Sequence, residues 1–448
     1  MGAMRRAGAC LACCLLAGVP LAASAHGPRP AAQAILFDDD DPQFVYVASS
    51  VFGHFVSHDG GETFGWICSD VFADGTIESF PIDAAALAGS GQRVLLVAGT
   101  AGLSRSTDDG CSWSLVDQFD GRRTSSVVVD PEDSSHVLVT TDQGATPVDN
   151  ALFESNNAGA TFVPTSLVGP HLFRSPRFGP DGSIWTASLQ TEEQVSYLHR
   201  STDGGTSFEA IALPDLGTRS YRIAGFVGDP DTVLLRAGTA TDDVLVLARG
   251  ERATIVLEPG EPLHELRATS DGALVIGGGD GKTWRSTDDG ETWQSTEGGP
   301  GQLCYAQRGG SLYACARQLE DQVAISVSPD DGATWSTFFA YEQMTGMLEC
   351  LAPEPMQTCT VGDRLLAQCF ELDEWGVDVA QIEGCPPLPV FGDSTGGDES
   401  GGTDGEPEAV GEEPGGCGCR TGPSAPALLL LLLPVVLPRR RRYKGADA

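Results

Sequence analysis

STDDGETW (residues 286–293) and STDDGCSW (106–113) are two copies of one eight-residue pattern, S-x-D-x-G-x-[TS]-[WF]. Four more stand in the same chain: SHDGGETF (57–64), SNNAGATF (155–162), STDGGTSF (201–208) and SPDDGATW (328–335). Successive copies start 49, 49, 46, 85 and 42 residues apart, and 85 is close to two of the other intervals. Such a period marks a propeller or an array of supersecondary units rather than one irregular globule. One unit has lost its motif.

Each copy suits a tight β-hairpin. The third position holds Asp59, Asp108, Asn157, Asp203, Asp288 and Asp330 in the six copies. A carboxylate there is expected to accept backbone N–H groups two residues on, as in an Asx-turn. Asn157 keeps the acceptor oxygen without the charge, which fits a structural role better than a catalytic one. Glycine at the fifth position supplies a positive φ, and the closing Trp or Phe anchors the returning strand. The flanks repeat as well. AILFDDDDPQFVYVASS (34–50), SSVVVDPEDSSHVLVTT (125–141) and AGFVGDPDTVLLRAG (224–238) each read as strand, Asp/Pro turn, strand. A third short strand, the motif and a fourth strand such as TFGWIC or ATFVPT complete the unit, and four strands per period make one propeller blade. Residues 233–257 read as the blade without a motif. The fold class is therefore all-β: a single β-propeller, counted as seven-bladed over about residues 30–345. An eighth blade would follow if MLECLAPEPMQTCTVGDRLLAQCF (347–370) formed one.

The six in-period copies resemble the Asp-box, or BNR repeat, of sialidase-like propellers and their non-enzymatic relatives, over about three quarters of the chain. In that family the boxes are structural hairpins at the blade edges, away from the active face. The resemblance thus implies the fold and leaves the activity open.

The ends carry addresses. Arg5 and Arg6 precede an apolar run (7–23) that closes on Ala23-Ser24-Ala25, the pattern of a signal peptide over residues 1–25 cleaved after Ala25. The propeller is expected over 26–390, with a Cys-rich closing segment at about 346–390. Residues 391–416 form an acidic, Gly-rich linker. Its stretch 392–416 has no aromatic residue, Lys or Arg, a composition that cannot bury enough apolar surface to fold. Residues 417–448 hold Cys417-Gly418-Cys419, an apolar segment and Arg439 to Arg442. The apolar run of about fourteen residues is short of the ~20 that a spanning helix needs. The order Cys motif, apolar segment, basic stop resembles the MYXO-CTERM tail of myxobacterial surface proteins. That resemblance implies processing by a C-terminal sorting protease, with Cys417 or Cys419 as the lipid anchor to the membrane. The protein is then expected to be exported through the inner membrane and held at the cell surface or outer membrane.

The formal charge is −35, with 62 Asp and Glu against 27 Lys and Arg. Such a surface repels nucleic acid, so no nucleic-acid partner is expected. Eight cysteines fall in the folded part: Cys68, Cys111, Cys304, Cys315, Cys350, Cys359, Cys369 and Cys385. An even count in an exported chain points to disulfides. Cys304 and Cys315 flank the hairpin-like CYAQRGGSLYAC and are the best pair. The last four crowd into 36 residues and are expected to staple the closing segment, with their connectivity left open.

Other motifs fail on context. Gly392-Asp393-Ser394-Thr395-Gly396 matches G-x-S-x-G but sits in the linker, without the strand and helix of a nucleophile elbow. Gly281-Lys282-Thr283 ends like a Walker loop, but Ile276 stands where the first glycine belongs. Sialidase chemistry would need three arginines and an early Arg-Ile-Pro; the nearest echo, Tyr221-Arg222-Ile223-Ala224, lacks the proline and comes after four motifs. No metal site is expected: Asp38 to Asp41 read as a solvated turn, and the histidines lack ligand spacing. No catalytic residue and no cofactor is singled out. The leading expectation is a monomeric, non-catalytic binding module for an extracellular protein or glycan. The alternatives are an exported glycoside hydrolase of the Asp-box propeller type and an envelope-protein assembly factor.

Overall fold

The computed structural model describes residues 31–50, 53–73, 82–89, 91–143, 150–217, 219–239, 241–296 and 299–350, with 369, 373 and 379–381. Ala25, Cys417, Cys419, the linker and the tail lie outside the described residues, as does most of 351–390. The described strands make seven sheets in chain order, each built on an antiparallel four-stranded meander, with a fifth, parallel strand on the first. First strands run Ala32–Phe37, Ile82–Ala88, Thr124–Val129, His171–Phe178, Ser220–Val227, Leu266–Ala268 and Tyr305–Arg308 for blades 1 to 7. Each touches the first strand of the next blade, and that of blade 7 touches that of blade 1. The ring is closed at seven, which leaves no place in it for an eighth blade.

Burial follows strand position. The second strands Val45–Ser49, Val94–Gly99 and Val137–Thr141 are buried along their whole length. They have hydrogen-bonded neighbours on both edges and a blade against each face, so they read as unbroken apolar runs instead of alternating ones. The fourth strands form the outer edges; Gln294–Thr296 is short and polar, which limits an otherwise open edge, while those of blades 3 and 5 expose Val163, Val168 and Ile255. The buried clusters lie between blades. Val127, Val137 and Val139 of blade 3 pack on Leu96 and Leu103 of blade 2, and Leu235 and Val246 of blade 5 on Trp185 and Leu198 of blade 4.

The six repeat turns each join the third strand of a blade to its fourth. In blade 2, Ser106 Oγ donates to Asp108 Oδ1 (2.8 Å) and accepts the N–H of Gly110 (3.0 Å). Asp108 then takes both the backbone N–H (2.9 Å) and the hydroxyl (2.5 Å) of Ser112. The carboxylate therefore caps four residues on, not the expected two, because two consecutive residues, Asp109 and Gly110, take positive φ and lengthen the loop. At Asn157 the carbonyl does the capping and the side-chain amide donates to Thr161 Oγ1 (2.9 Å). Blade 5, without the motif, turns instead on the two-residue loop Gly250–Glu251 between Arg249 and Arg252, with φ +56° at Gly250. That is the geometry of a primed hairpin turn. The fifth-position glycine also faces the preceding blade: a Cβ on Gly110 would stand 2.6 Å from Ile67 Cδ1 of blade 1.

The seam between blades 7 and 1 has no interleaved strand. Aromatic packing fills it, with Phe64 against Phe339 at 4.0 Å between ring centroids and Phe37 against Tyr313 at 4.7 Å. Arg308 of blade 7 lies over Phe37 and donates to the carbonyls of Pro42 (3.0 Å) and Gly60 (3.2 Å) in blade 1. After blade 7 the chain adds Met344–Met347 as a fifth strand, parallel to Phe64–Ile67 on the outer edge of blade 1. Cys350 then bonds Cys111 in the repeat turn of blade 2. The staple of the closing segment is thus a distant one, because the parallel strand carries Cys350 past blade 1 to blade 2. A second disulfide joins Cys304 to Cys315, and Cys68 and Cys369 are also disulfide-bonded. Asp38 to Asp41 is likewise no free solvated turn, because Arg93 of blade 2 binds Asp38 (2.6 Å), Asp41 (2.9 Å) and Asp109 (2.7 Å) and stacks on Phe44.

Two predictions follow the closure. Cross-linking stabilises more as the closed loop lengthens, and the Cys111–Cys350 bridge spans 239 residues against 11 for Cys304–Cys315. Replacing the long-range pair by alanine is expected to cost about 3–5 kcal/mol and the local pair about 2–3. Urea midpoints of the two double variants measure this, and an equal or reversed order would refute the chain-closure account. Gly110→Ala should cost about 2–3 kcal/mol, from its backbone and the collision with Ile67. Gly91→Ala, also at positive φ but with nothing within 4 Å, should cost about 1. Equal losses would show that the close approach to blade 1 contributes nothing.

Candidate functional site

The turn residues Asp59, Asp108, Asn157, Asp203, Asp288 and Asp330 all lie on one face of the ring, the face that also carries the hairpins between first and second strands. Each is engaged in capping its own loop. Hydrogen bonding to the Ser207 hydroxyl and amide, then to Ser201, holds Asp203 at about 2. Burial alone would raise Asp59, but its bonds from Thr63, Ser57 and Glu62 bring it to about 2 as well. Each of these carboxylates is thus hydrogen-bonded within its own loop.

The opposite face carries the second-to-third-strand connections and the crossings between blades. The channel between the first strands is asymmetric. Blades 1 and 2 present AQAILF and IDAAALA, whereas blades 4, 5 and 6 place Arg174, Arg177, Arg222 and Arg267 on their first strands. Arg236 joins them from the second strand of blade 5, in register with Arg222. Arg174 is matched by Asp142, which is buried, at 3.0 Å. Arg236 donates to the carbonyls of Leu263 and His264, the latter at 2.7 Å. Arg267 donates to the Tyr305 carbonyl (2.9 Å), and Glu265 stands 3.9 Å from it while accepting the Tyr305 N–H (3.1 Å). Arg177 donates only to the Pro176 carbonyl (3.2 Å), and no carboxylate of a described residue lies within ion-pair distance of it.

These groups sense one another. Burial lowers the Arg177 pKa, Glu265 opposes that, and Arg267 adds to it. Burial also lowers Arg236, with Asp243 and Glu265 opposing and Arg177 adding. Burial, then Arg236 and Arg317, pushes His264 down to about 4, so its imidazole is neutral at pH 7. The sequence reading missed this cluster. Its one sequence signal is the presence of arginine on three successive first strands, HLFRSPRF, SYRIAGFV and LRA.

Two described carboxylates near the junction of blades 5 and 6 are hydrogen-bonded within the fold. Asp243 is buried and accepts the Leu263 N–H (2.7 Å), and Glu261 accepts Trp284 Nε1 (3.3 Å) beside Lys282. A cleft of about 100 Å³ opens between blades 4 and 5, lined by Glu193, Gln194, Leu213, Arg219 and Tyr221. It is smaller than the ~300–1,000 Å³ of most small-molecule sites. Among the described residues no group of three or more His, Cys, Asp or Glu is placed to hold a metal ion, and no helix is long and apolar enough to cross a membrane.

No protein-family model matches the chain, and no curated protein matches it either. Among solved structures, an ancestral GH74 enzyme aligns with a TM-score of 0.53 at 16% identity, over 70% of this chain and 47% of that one. YCF48 from Cyanidioschyzon merolae gives 0.45 at 14% identity, over 64% of this chain and 94% of its own. The GH74 xyloglucanase from Xanthomonas campestris gives 0.39 at 14%, over 73% and 69%. This chain thus spans about half the length of the ancestral enzyme. At such identities the likeness shows the propeller fold and carries nothing about activity.

The buried histidines make stability depend on acidity. Burial lowers His54, bonded to Tyr46, to about 3, and burial followed by His171 lowers His199 to about 4. With His264 these imidazoles are neutral in the folded chain and titrate near 6.5 once unfolded. Their contribution is fully present above pH 6.5 and is lost as pH falls from 6.5 toward 3–4; the loss from Asp59 and Asp203 follows between about 3.8 and 2. Unfolding at pH 5 should therefore take up about three protons. A urea midpoint that did not move between pH 7.5 and 5 would contradict this assignment.

Proposed function

We propose that this chain is an exported, surface-held and non-catalytic binding module built on an Asp-box propeller. The observation that carries the reading is the state of the carboxylates around the channel. Glycoside hydrolysis needs two carboxyl groups about 5–9 Å apart, one to protonate the leaving oxygen and one to attack or activate water. Here Asp142 is spent on Arg174, Asp243 on the Leu263 amide, Glu261 on Trp284 and Lys282, and Glu265 on the Tyr305 amide. What the channel offers is donors, which suits recognition and not acid–base work. Display rests on the sequence: a signal ending at Ala25, an acidic tether over 391–416, and Cys417 or Cys419 before an apolar segment and an arginine stop. Its partner is an extracellular protein or glycan.

Mass spectrometry of the protein from its native envelope tests display. The expected chain begins at His26 and ends, lipidated, at Cys417 or Cys419; an unmodified chain running to Ala448 would overturn the surface anchor. A panel of neutral and acidic polysaccharides tests the absence of catalysis. No new reducing ends are expected, and turnover that survives repurification of the protein would overturn the binding-only reading.

A further inference from the structure

We propose that the cleft between blades 4 and 5 is a docking pocket for one basic side chain, lysine or arginine, of an extracellular protein partner. The inference rests on the binding-module reading above and deepens it by naming the chemistry recognised.

The cleft lies where the connection between the second and third strands of blade 4, residues 191–194, faces the crossing from blade 4 to blade 5. Its walls are fixed by three separate contacts. The Leu213 N–H donates to the Ser196 carbonyl (2.9 Å), which ties the crossing to the third strand of blade 4. Tyr221 is buried, and its hydroxyl donates to the Pro214 carbonyl (2.8 Å). Arg219 pairs with the Asp242 carboxylate and donates to the Asp242 carbonyl (3.0 Å). The space these walls enclose is about 100 Å³, too little for a whole drug-sized ligand but enough to take one side chain.

The lining decides the sign of the guest. Glu193 is exposed and has neither a hydrogen-bond nor an ion-pair partner among the described residues. Asp215 accepts the Gly217 N–H through one oxygen (2.9 Å), which leaves the other unengaged among the described residues. The Ser196 hydroxyl is unengaged in the same sense. Arg219, the one basic residue in the lining, is already answered by Asp242. Open carboxylate oxygens beside a neutralised arginine suit an ammonium or a guanidinium, whose bonds to carboxylates are shorter and stronger than neutral ones. Leu213, Leu216 and the Tyr221 ring supply apolar wall for the stem of such a side chain, which buries its methylenes while its head reaches for charge. Burial, then Asp215, raises the Tyr221 phenol to about 12, so the Asp215 charge stands close to that ring.

Charge also selects the source of the side chain. A formal charge of −35 sets one copy of this chain against another and draws a basic partner toward it. The chain has little lysine of its own to offer: Lys282 already lies 3.5 Å from Glu261, and Lys444 belongs to the tail. The guest therefore comes from a different protein.

The test is an NMR titration of three capped peptides, acetyl-Gly-Lys-Gly-amide and its arginine and norleucine counterparts, with the full chain at constant ionic strength. Saturable binding is expected for the lysine or the arginine peptide and not for norleucine, which keeps the stem without the charge. Glu193→Gln and Asp215→Asn should each weaken that binding by about fivefold, and the asparagine keeps an oxygen for the Gly217 amide. Glu192→Gln removes the same charge one residue away, outside the lining, and should change binding by less than about twofold. Two surface variants with one expected result keep the proposal testable should either fold poorly. No saturable binding of either basic peptide, norleucine binding as tight as lysine, or equal losses in E192Q and E193Q would overturn the pocket. Spermidine bound more tightly than both basic peptides would assign the cleft to a free polyamine and overturn the protein partner. Failure here leaves the binding-module reading intact, since that reading stands or falls on processing of the chain ends and on the absence of turnover.

Discussion

Each repeat turn depends on one serine hydroxyl used twice. Ser106 Oγ donates to Asp108 and accepts from Gly110, and Ser57, Ser155, Ser201, Ser286 and Ser328 do the same in their own turns. That pair of hydrogen bonds holds two consecutive residues at positive φ, a state that costs a non-glycine residue such as Ala158 or Asp289 of order 1 kcal/mol. The capping bonds to the third-position side chain, each worth ~1 kcal/mol or more, offset the cost. Once the loop is fixed, the fifth-position glycine has no side chain to hold the next sheet away. Gly110 then settles on Ile67, Gly159 on Leu96 and Gly290 on Leu234, each a residue of the preceding blade. The turn is thus a spacer between blades as well as a hairpin, and the pitch of the ring depends on it.

A ring assembled this way has one weak place. Six of the junctions join blades that follow directly along the chain, while the junction of blade 7 with blade 1 must be made by distant residues. Many local contacts make it here instead of one shared sheet: stacked aromatics, Arg308 across Phe37, a parallel outer strand and a disulfide to blade 2. The last two act together. Met344–Met347 adds hydrogen bonds along blade 1, and the Cys111–Cys350 bond prevents that strand from peeling away. An outer parallel strand is a poor clasp alone, since only one of its edges is paired. The covalent bond beyond it converts the clasp into a closed loop.

The blades were legible in the sequence because their information is local. Motif spacing, Asp/Pro turns and unbroken apolar second strands all repeat within one unit, and even the blade without the motif kept its strands around a Gly250 turn. Cys304 and Cys315 sit at the base of a hairpin, so they too could be matched by eye. Contacts between blades were not legible. Arg93 lies more than fifty residues from Asp38, Cys111 is 239 from Cys350, and the channel arginines come from three separate repeats. Nothing local distinguishes a first-strand arginine that faces the channel from one that meets a carboxylate. Knowing which is which requires the closed ring.

The placement of charge follows from that closure. Two like charges ~7 Å apart repel by roughly 2 kcal/mol at an effective dielectric constant near 20, so concentrating arginines in one channel opposes folding unless something answers them. The strongly acidic remainder answers them in part at long range, but salt screens exposed charges within about 8–10 Å while a partly enclosed guanidinium is screened much less. The same chain supplies close carboxylates to Arg93, Arg200, Arg219 and Arg174, which shows that local neutralisation was available to it. Leaving Arg177 with a carbonyl alone therefore costs stability that the seam disulfide and the repeat turns are able to absorb. A scaffold made rigid by its turns and shut by a covalent bond can hold three guanidiniums against their mutual repulsion.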